Sequence, residues 1–325
     1  MRLWNIREMI GTAAALRANG VIGLNERNAN YMLPNNPRRF YPLVDDKLST
    51  KQLAAQYGVG TPELYAVIRY GAETRDLGAI IAKHKEFVVK PASGSGGSGI
   101  VVVKERAGEA LRLANRAIMT LDELDFHVRS TLSGIYSLGG QLDKVLIEYC
   151  VQFDPVFESI SYQGVPDIRL IAYKGVPVMG MVRLPTRQSG GKANLHQGAI
   201  GAGIDLATGR TLTAVHKTDV VSEHPDTLAP VTGVQIPHFD RMLEIAARCN
   251  EMTGLGYVGV DLILDKTKGP LMLELNARPG LAIQIANRAG LGARLQAVER
   301  EGADKLPLPD RVSFARKSFA AQTPG

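Results

Sequence analysis

The stretch Gly259–Gly280 reads GVDLILDKTKGPLMLELNARPG and combines two apolar runs with a polar turn. The runs Gly259–Leu264 and Leu271–Leu275 flank the turn-prone segment Asp265–Pro270. Apolar runs separated by such a segment predict a β-hairpin. Each of the two predicted strands carries one carboxylate within its apolar run, Asp261 in the first and Glu274 in the second.

Pairing Asp265 with Pro270 across the turn places Asp261 opposite Glu274. Residues two positions apart lie on the same face of a strand, so Asn276 joins these carboxylates. Two carboxylates and an amide oxygen among apolar neighbours are costly unless a positive charge lies on them. An oxygen-only set suits a hard cation such as Mg²⁺. The sequence therefore predicts a metal site, with a polar outer hairpin face as the alternative.

The composition is that of a soluble globular protein. The chain has 325 residues, 45% apolar and 22% charged, enough for one large domain or two smaller ones. Its net charge of +6 mildly favours anionic ligands, while the absence of any run of five or more Lys or Arg argues against a nucleic-acid arm. Cys150 and Cys249 are expected to pack as small hydrophobic residues. The apolar run near the N-terminus is too short to span a bilayer and lacks a signal-peptide layout, so a cytoplasmic location without membrane insertion is expected.

The two ends of the chain differ in character. The segment Leu3–Asn19 has the apolar spacing of a helix, and Gly23–Tyr41 is rich in Asn, Arg and Pro and is expected to be irregular. A polar loop of that length is uncommon unless it is functional. Within it, Arg38 and Arg39 could reach phosphate or carboxylate, or form a solvated pair. From about Leu306 onward the Pro-rich, basic end predicts a loosely attached tail.

A second helix, Leu48–Tyr57, follows Asp45-Asp46-Lys47. A cation in the first turn gains nothing from the helix dipole. Lys47 is therefore expected either to pair with a neighbouring aspartate or to be held for a ligand. Further along, Ala107–Met119 and Leu121–Leu132 are expected to be helical.

A glycine-rich loop, PASGSGGSG at Pro91–Gly99, lies between the β-type runs Phe87–Lys90 and Ile100–Val103. It matches the dinucleotide fingerprint in spacing only, because that fingerprint requires a following helix. Glycines between two strands nevertheless let backbone N–H groups close over phosphates. A hairpin lid is predicted, with a flexible linker as the alternative, and Lys90 at the end of the incoming strand would point to those phosphates.

Three more strands carry charged residues. Lys144–Val151 is a buried strand with one carboxylate, Glu148, which is either a satisfied edge residue or part of a site for adenine and ribose. Asp167 and Arg169 share a face of the next strand, and Arg183 on the returning strand could project into the same site. The basic loop that follows contains His196 without a partner at metal-like spacing, so a zinc site is not expected.

In this order the chain resembles the ATP-grasp superfamily, in particular the RimK-type alpha-L-glutamate ligases, over residues 45–282. The matching features are Asp46-Lys47, Val89-Lys90 before the Ser/Gly loop, Leu146-Ile-Glu148, Asp167-Ile-Arg169, Asn194-Leu-His196, Gly259-Val-Asp261 and Glu274-Leu-Asn276-Ala-Arg278-Pro279. The resemblance implies an α+β ATP-grasp fold, in which two α+β subdomains grip ATP. The expected segments are a short helical and irregular one at 1–46, a lid subdomain at 47–152, a metal-binding subdomain at 153–305 and the tail at 306–325.

The resemblance also implies roles for individual residues. Nucleotide binding is expected of Lys47, Lys90, Ser93, Gly94, Ser95, Gly96, Gly97, Ser98, Gly99, Glu148, Tyr149, Val151, Asp167 and Arg169. Two Mg²⁺ ions, with Mn²⁺ as an alternative, are expected on Asp261, Glu274 and Asn276. Arg183, Asn194 and Arg278 are expected to steady the transferred phosphate or the acyl-phosphate.

The implied reaction is ATP-dependent amide-bond formation by an acid–amino-acid ligase. A substrate carboxylate attacks the γ-phosphate, and an amine then displaces phosphate from the acyl-phosphate. The expected partners are an amino-acid donor, plausibly glutamate, and an amine or carboxylate acceptor that is a peptide, a protein or a small molecule. Nucleic acid is not an expected partner, and a homo-oligomer remains open.

Two departures from the RimK-type pattern affect the acceptor. Only 46 residues precede Lys47, where RimK-type enzymes have a longer N-terminal domain. The loop Pro185–Gly203 carries Ser189-Gly190-Gly191 where the family has charged residues. A nucleotide-binding regulatory module without turnover is the alternative to a ligase, although the intact acid set and both lysines argue against it.

Overall fold

The computed structural model describes residues 6–94, 96–108 and 110–321 and contains one six-stranded and one seven-stranded sheet. The strands are β1 (Leu64–Ile68), β2 (Phe87–Pro91), β3 (Val101–Ala107), β4 (Ala110–Leu113), β5 (Ile118–Thr120), β6 (Val145–Tyr149), β7 (Asp167–Tyr173), β8 (Val176–Leu184), β9 (Ile200–Ile204), β10 (Thr211–His216), β11 (Asp219–Val221), β12 (Tyr257–Asp265) and β13 (Gly269–Asn276). The helices are α1 (Ile6–Ala18), α2 (Leu24–Glu26), α3 (Leu33–Asn35), α4 (Pro42–Asp45), α5 (Lys47–Gln56), α6 (Leu77–Ile81), α7 (Leu121–Leu132), α8 (Phe239–Thr253), α9 (Ala282–Asn287), α10 (Gly292–Arg300) and α11 (Leu308–Ser318). The α+β class predicted from the sequence is confirmed.

The first sheet has the strand order β1-β6-β2-β3-β4-β5, and each neighbouring pair is antiparallel. Because side chains alternate between the faces of a strand, its two faces differ. On one face Phe87 and Val89 are fully buried and pack with Leu124 of α7. On the opposite face lie Lys90 and Glu148, both also buried. The apolar face anchors the sheet, and the charged face is available for a site.

The helix predicted over Ala107–Met119 is wrong. The described residues of this segment form the end of β3, then β4 and the start of β5, which extend the first sheet. Asn115 accepts a hydrogen bond from Ala117 N (3.1 Å), and Arg116 has a φ of 70°, so the chain reverses after β4. Short apolar runs fit a strand as well as a helix, and here the open edge of β3 decides between them.

The second sheet has the order β11-β10-β9-β8-β7-β12-β13 and holds the larger core. Strands β7, β8 and β12 lie in its middle and are almost entirely buried. Helix α8 packs on this sheet through Leu243 and Ala246, both fully buried. Cys150 and Cys249 are buried and form no disulfide, as predicted from their apolar surroundings. A buried sheet of this kind supplies a rigid base for polar side chains on one of its faces.

The β12–β13 hairpin forms as predicted, and Asp261 pairs with Glu274. The turn, however, pairs Asp265 with Gly269, so the predicted pairing of Asp265 with Pro270 is wrong. A shift of register next to Asp261 leaves one extra residue in β13. This β-bulge compensates for the different turn. The two carboxylates therefore face each other for a different reason from the one the sequence indicated.

The N-terminal segment is more ordered than the irregular loop predicted for Gly23–Tyr41. It consists of short helical turns, including a π-helix at Arg27–Met32. Asn36, 2% exposed, donates to the carbonyls of Tyr257 (2.7 Å) and Ala277 (3.0 Å). Earlier in the chain, α1 lies inside the predicted helix Leu3–Asn19, whose first three residues fall outside the described ranges. Residues 22–41, which we call the N-terminal strap, are thus held against the second sheet and the residues that follow it.

The loosely attached C-terminal tail predicted from Leu306 onward is also wrong for the described residues. Helix α11 packs against α8, and Phe319 after it is 4% exposed. Ala321 N donates to Asp205 Oδ1 at 2.8 Å. The four predicted segment bounds stay a prediction, with the two sheets lying within 64–149 and 167–276. Among the described helices, none has the length and apolar character needed to cross a membrane.

Candidate active site

Helix α5 places Lys47 between the two sheets. Lys47 Nζ donates to the carbonyl of Gly94 and lies 3.6 Å from Glu274 Oε2 on the second sheet. Neighbouring Asp46 instead caps the helix, accepting hydrogen bonds from two backbone N–H groups (2.8 and 3.0 Å), and binds Lys144 Nζ at 2.6 Å. Burial lowers the pKa of Lys47, while Glu274 opposes that shift. Lys47 therefore faces the cleft between the sheets rather than its aspartate neighbour.

Two further lysines meet a buried glutamate on the charged face of the first sheet. Glu148, 3% exposed, binds Lys51 Nζ at 2.8 Å and also binds Lys90 Nζ. Burial lowers the pKa of Lys51 to about 8, although Glu148 acts in the opposite direction. Together, Lys47, Lys51, Lys90 and Glu148 form what we call the lysine cluster. Within this cluster three cations meet one anion, and the carboxylates of Glu274 and Asp143 also act on Lys47.

Lys51 is the functional candidate that the sequence analysis missed. Its signal is weak: it lies four residues after Lys47, a spacing that puts both side chains on one face of a helix. Its burial depends on Glu148, which is remote in the chain. For Glu148 itself, the structure shows ion pairing with two lysines, and its role in binding adenine or ribose stays a prediction.

The glycine-rich loop joins β2 to β3, which pair antiparallel as the predicted hairpin requires. At its start, Ser93 N donates to the two carboxylate oxygens of Asp143 (3.1 and 3.0 Å). At its end, Gly99 has a φ of +75°, and a Cβ there would lie 2.6 Å from the ring of Tyr136. The tip residues Gly96, Gly97 and Ser98 are exposed, and Ser95 lies outside the described residues. The loop is thus anchored at both ends with its tip exposed.

On the second sheet, Asp261 is held by two guanidinium groups. Arg169 Nε donates to Asp261 Oδ1 at 2.6 Å, and Arg183 Nη2 donates to Asp261 Oδ2 at 2.9 Å. Arg183 also binds both carboxylate oxygens of Asp167. These four residues, which we call the arginine–aspartate network, lie on one face of β7, β8 and β12, as predicted for Asp167, Arg169 and Arg183. The network contains two positive and two negative groups.

The environment of the network shifts the pKa values of its two carboxyl groups in opposite directions. Burial opposes the ionisation of Asp261, but Arg169 and Arg183 outweigh it and hold the pKa of this carboxyl well below its usual range. Burial raises the pKa of Asp167 to about 6, with Arg183 opposing the shift and the charge of Asp261 adding to it. Asp261 is therefore fixed in its ionised form.

The predicted metal-binding residues lie together at the hairpin. Asn276 Nδ2 is 3.3 Å from Asp261 Oδ2, and the Glu274 side chain is 33% exposed toward the cleft. Within the described ranges, no group of three or more His, Cys, Asp or Glu side chains is placed to hold a metal ion, so a site here depends on the Asn276 amide. Two carboxylates, one of them held ionised, and an amide oxygen fit the donor preference of Mg²⁺.

A buried apolar cluster joins the end of β6 to the β12–β13 hairpin. Val151 after β6 packs with Ile263 and Leu271 of the β12–β13 hairpin. Tyr149 packs on the edge of this cluster and donates through its hydroxyl to Asp265 Oδ2 at 3.0 Å. An apolar patch beside a cationic one matches the two halves of a nucleotide. This arrangement supports the nucleotide-binding roles predicted for Tyr149 and Val151, which stay predictions.

Asn194 and Arg278 contact neither the lysine cluster nor the predicted metal-binding side chains. The side chain of Asn194 caps a short 3₁₀ turn by accepting from His196 N at 3.0 Å. The guanidinium of Arg278 lies 5.2 Å from the centre of the Tyr41 ring, beside a separate cavity. The roles predicted for these two residues at the transferred phosphate remain untested by the geometry.

Comparison with known families gives one match. The model of a family described as "Sugar-transfer associated ATP-grasp" matches residues 26–300, which is most of the chain. Among curated proteins, none matches the sequence significantly.

Comparison with solved structures gives similar chains at low sequence identity. The ATP-grasp ligase PsnB in complex with a minimal precursor has 13% identity and a TM-score of 0.46, covering 82% of this chain and 63% of PsnB. The D-cycloserine synthetase DcsG has 17% identity and a TM-score of 0.45, covering 82% and 72% of the two chains. The D-alanine–D-alanine ligase of Bacillus anthracis has 16% identity and a TM-score of 0.42, covering 86% and 69%. In the first of these comparisons the chain spans less than two thirds of the other protein.

Proposed function

Starting from the sugar-transfer associated ATP-grasp family, to which this chain belongs, we propose that the protein is an ATP- and Mg²⁺-dependent ligase that joins a carboxylate to an amine. The observation that carries this proposal is the cleft itself. A cationic cluster with net positive charge faces a carboxylate hairpin across 3.6 Å, between Lys47 Nζ and Glu274 Oε2. Phosphoryl transfer needs mainly alignment and charge neutralisation, and these two groups supply both.

On this proposal the two sides of the cleft bind different parts of ATP. Lys47, Lys51 and Lys90 neutralise the phosphates, with backbone N–H groups of the glycine-rich loop closing over them. The apolar cluster of Val151, Ile263 and Leu271 would cover the adenine. No nucleophilic side chain is required, because the substrate carboxylate attacks the γ-phosphate and the acyl-phosphate is then consumed by the amine.

Asp261, Glu274 and Asn276 would hold Mg²⁺, which supplies charge neutralisation at the transferred phosphoryl group. The arginine–aspartate network prepares this site, since Arg169 and Arg183 keep Asp261 ionised and fixed in position. The side chain of Arg183, which is 12% exposed beside these carboxylates, would help to neutralise the transferred phosphoryl group.

For the substrates, we propose an amino acid, with glutamate as the first candidate, and an acceptor that carries the complementary amine or carboxylate. The family description associates its members with sugar transfer. Sugar-bearing acceptors, such as amino sugars and uronic acids, therefore belong among the candidates beside peptides.

A regulatory module that binds ATP without turnover is the second candidate, and one observation favours it. Asp261 already accepts hydrogen bonds from Arg169, Arg183 and Asn276, so a metal ion must share this carboxylate with them. A protein that only senses the nucleotide would tolerate this arrangement.

The deciding experiment measures phosphate release from ATP and Mg²⁺ with amino acids, amino sugars and uronic acids, singly and in pairs, with mass spectrometry of the products. We expect ADP and phosphate only with a particular acid–amine pair, and a product that contains both. Tight ATP binding without turnover for any pair would contradict the ligase proposal and favour the regulatory one. Glu274→Gln serves as the matched variant, because it keeps the side-chain shape while removing the charge.

A further inference from the structure

A cavity of about 420 Å³ lies beside the end of β13, outside the lysine cluster. Its lining includes Met32, Arg38, Tyr41, Pro42, Asp45 and Arg278. Small-molecule sites in proteins measure roughly 300–1,000 Å³, so this space is large enough for part of a substrate. Most of the lining residues belong to the N-terminal strap, which contributes no residue to the lysine cluster or to the β12–β13 hairpin.

The position of Arg278 in this cavity is fixed by the strap. Asn36 Nδ2 donates to the carbonyl of Ala277 at 3.0 Å, and Arg27 Nη1 donates to the carbonyl of Pro279. Both donors are buried, with 2% of Asn36 and 6% of Arg27 exposed. The carbonyls of the residues before and after Arg278 are therefore held by buried side chains. This support acts on the backbone, and the Arg278 side chain itself is exposed and accessible to a ligand.

The cations of the cavity lack an anionic partner. The guanidinium of Arg278 lies over the Tyr41 ring at 5.2 Å, and neither Arg278 nor Arg38 forms an ion pair with a residue of the described ranges. Stacking on an aromatic ring leaves the N–H edge of a guanidinium free for a carboxylate or phosphate. Asp45 contributes one negative charge against these two positive ones, so the lining remains cationic.

The cavity lies next to the proposed reaction centre along both chain segments that build it. Asp45 precedes Lys47 by two residues, and Arg278 follows Asn276 by two residues. Lys47 and Glu274, which approach each other to 3.6 Å, are thus connected to the cavity by very short stretches of chain. A substrate anchored in the cavity can extend toward the cleft.

We propose that this cavity binds an anionic group, a carboxylate or a phosphate, of the substrate that is joined to the activated acid, with Arg38 and Arg278 as its ligands. The inference rests on the proposed ligase function for the identity of the molecule that carries the anion. It assigns a role to the Asn- and Arg-rich strap and distinguishes this anion site from the one for nucleotide phosphates.

The first test is anion binding without turnover, measured by calorimetry on the full chain. The probes are glucuronate against neutral glucose, and N-acetylglucosamine 6-phosphate against neutral N-acetylglucosamine, so that the two arms separate a carboxylate from a phosphate. All titrations are repeated in Lys90→Met, which weakens the lysine cluster as a competing anion site. We expect one anionic probe to bind at least about tenfold more tightly than its neutral partner, in line with charge-assisted hydrogen bonds.

The variants locate this binding. Arg38→Gln and Arg278→Gln should each weaken the anionic probe about tenfold or more, Arg38→Lys should restore part of the affinity, and the exposed Arg75→Gln on the first-sheet side should leave it unchanged. Equal binding of charged and neutral probes would overturn the proposal, and so would full affinity for the anionic probe in both Arg38→Gln and Arg278→Gln. Failure of the ligase proposal gives a different result, namely no phosphate release in the wild type while anion binding still depends on Arg38.

Discussion

The lysine cluster and the arginine–aspartate network face the same cleft but differ in charge balance. The cluster sets three lysines against Glu148, whereas the network pairs two guanidiniums with two carboxylates. A region that retains uncompensated charge gains by binding an ion of opposite sign, and a balanced region gains by staying intact. We therefore expect ligand binding to depend on the lysine cluster and folding stability to depend on the arginine–aspartate network.

The largest effect is expected where a balanced buried pair is broken. Asp261→Ala should lower the free energy of unfolding by roughly 3–5 kcal/mol, because it leaves Arg169 and Arg183 without their shared carboxylate. Urea unfolding followed by circular dichroism measures this. Glu274→Ala on the facing strand is the matched control and should cost less than about 1 kcal/mol, since it is a partly exposed ion-pair partner. Similar losses for both variants would mean that the network is not the stabilising element.

The next effect tests the lysine cluster. Lys90→Met should weaken ATP binding by about tenfold to a hundredfold, the range expected for losing a charge-assisted hydrogen bond. Calorimetric titration with ATP and Mg²⁺ gives the affinity. The control is Lys104→Met, which should bind ATP normally. It removes a partly exposed lysine of the adjacent strand β3 that pairs with Glu86, the residue before β2. Unchanged affinity in Lys90→Met would refute the phosphate-binding role of the cluster.

A smaller effect concerns pH. Since burial lowers the pKa of Lys51 to about 8 from the ordinary value of 10.5, ATP affinity should fall as the pH rises through 8 and this lysine loses its proton. Lys51→Arg, which stays charged, should flatten that dependence.

The same shift has the opposite sign for stability. Between about pH 8 and 10.5 the unfolded chain holds the Lys51 proton more tightly than the folded chain does, so the contribution of Lys51 to the free energy of unfolding rises with pH. Parallel titrations of ATP affinity and urea stability should therefore diverge above pH 8. If both quantities fell together, Lys51 would not be the group that titrates.

The smallest effect concerns the glycine-rich loop between β2 and β3. Gly99→Ala would place a Cβ 2.6 Å from the Tyr136 ring, whereas a Cβ at Gly96 meets nothing within 4 Å. Both glycines have positive φ, with values of +75° and +63°, so the backbone strain is matched. Gly99→Ala should raise the KM for ATP severalfold more than Gly96→Ala does. Equal effects would show that the anchoring by Tyr136 does not matter.

The pairing of Asp261 with Glu274 was predicted from the sequence and is confirmed, but the prediction depended on a turn register that the structure does not have. The two-residue period of strands determines only that Glu274 and Asn276 share a face. The sequence did not predict the turn. Asp265 accepts hydrogen bonds from Thr267 N and Lys268 N, both at 2.9 Å, which favours the tighter pairing with Gly269. The bulge that restores the register has no strong local signal.

Two other features were beyond the sequence because remote contacts determine them. The segment after β3 has apolar spacing that suits a helix, but an open sheet edge recruits it as β4 and β5. Lys51 on α5 is buried where it binds Glu148 of β6, which is remote in the chain, and the carbonyl of Pro62. Local patterns indicate which residues bear chemistry, while tertiary contacts decide which of them are buried and charged.

The strap across the second sheet has a consequence for how the protein folds during synthesis. Gln284 exchanges hydrogen bonds of 3.0 Å with both backbone groups of Ile22, 262 residues away, and Asn36 reaches Ala277 across 241 residues. Chains are made from the N-terminus, so these early residues emerge long before their partners exist. Contacts of such high sequence separation form late and slow folding. Ile22 and Asn36 thus leave the ribosome well before the residues on which they dock, and the cavity at Arg278 is completed only after Arg278 has been made.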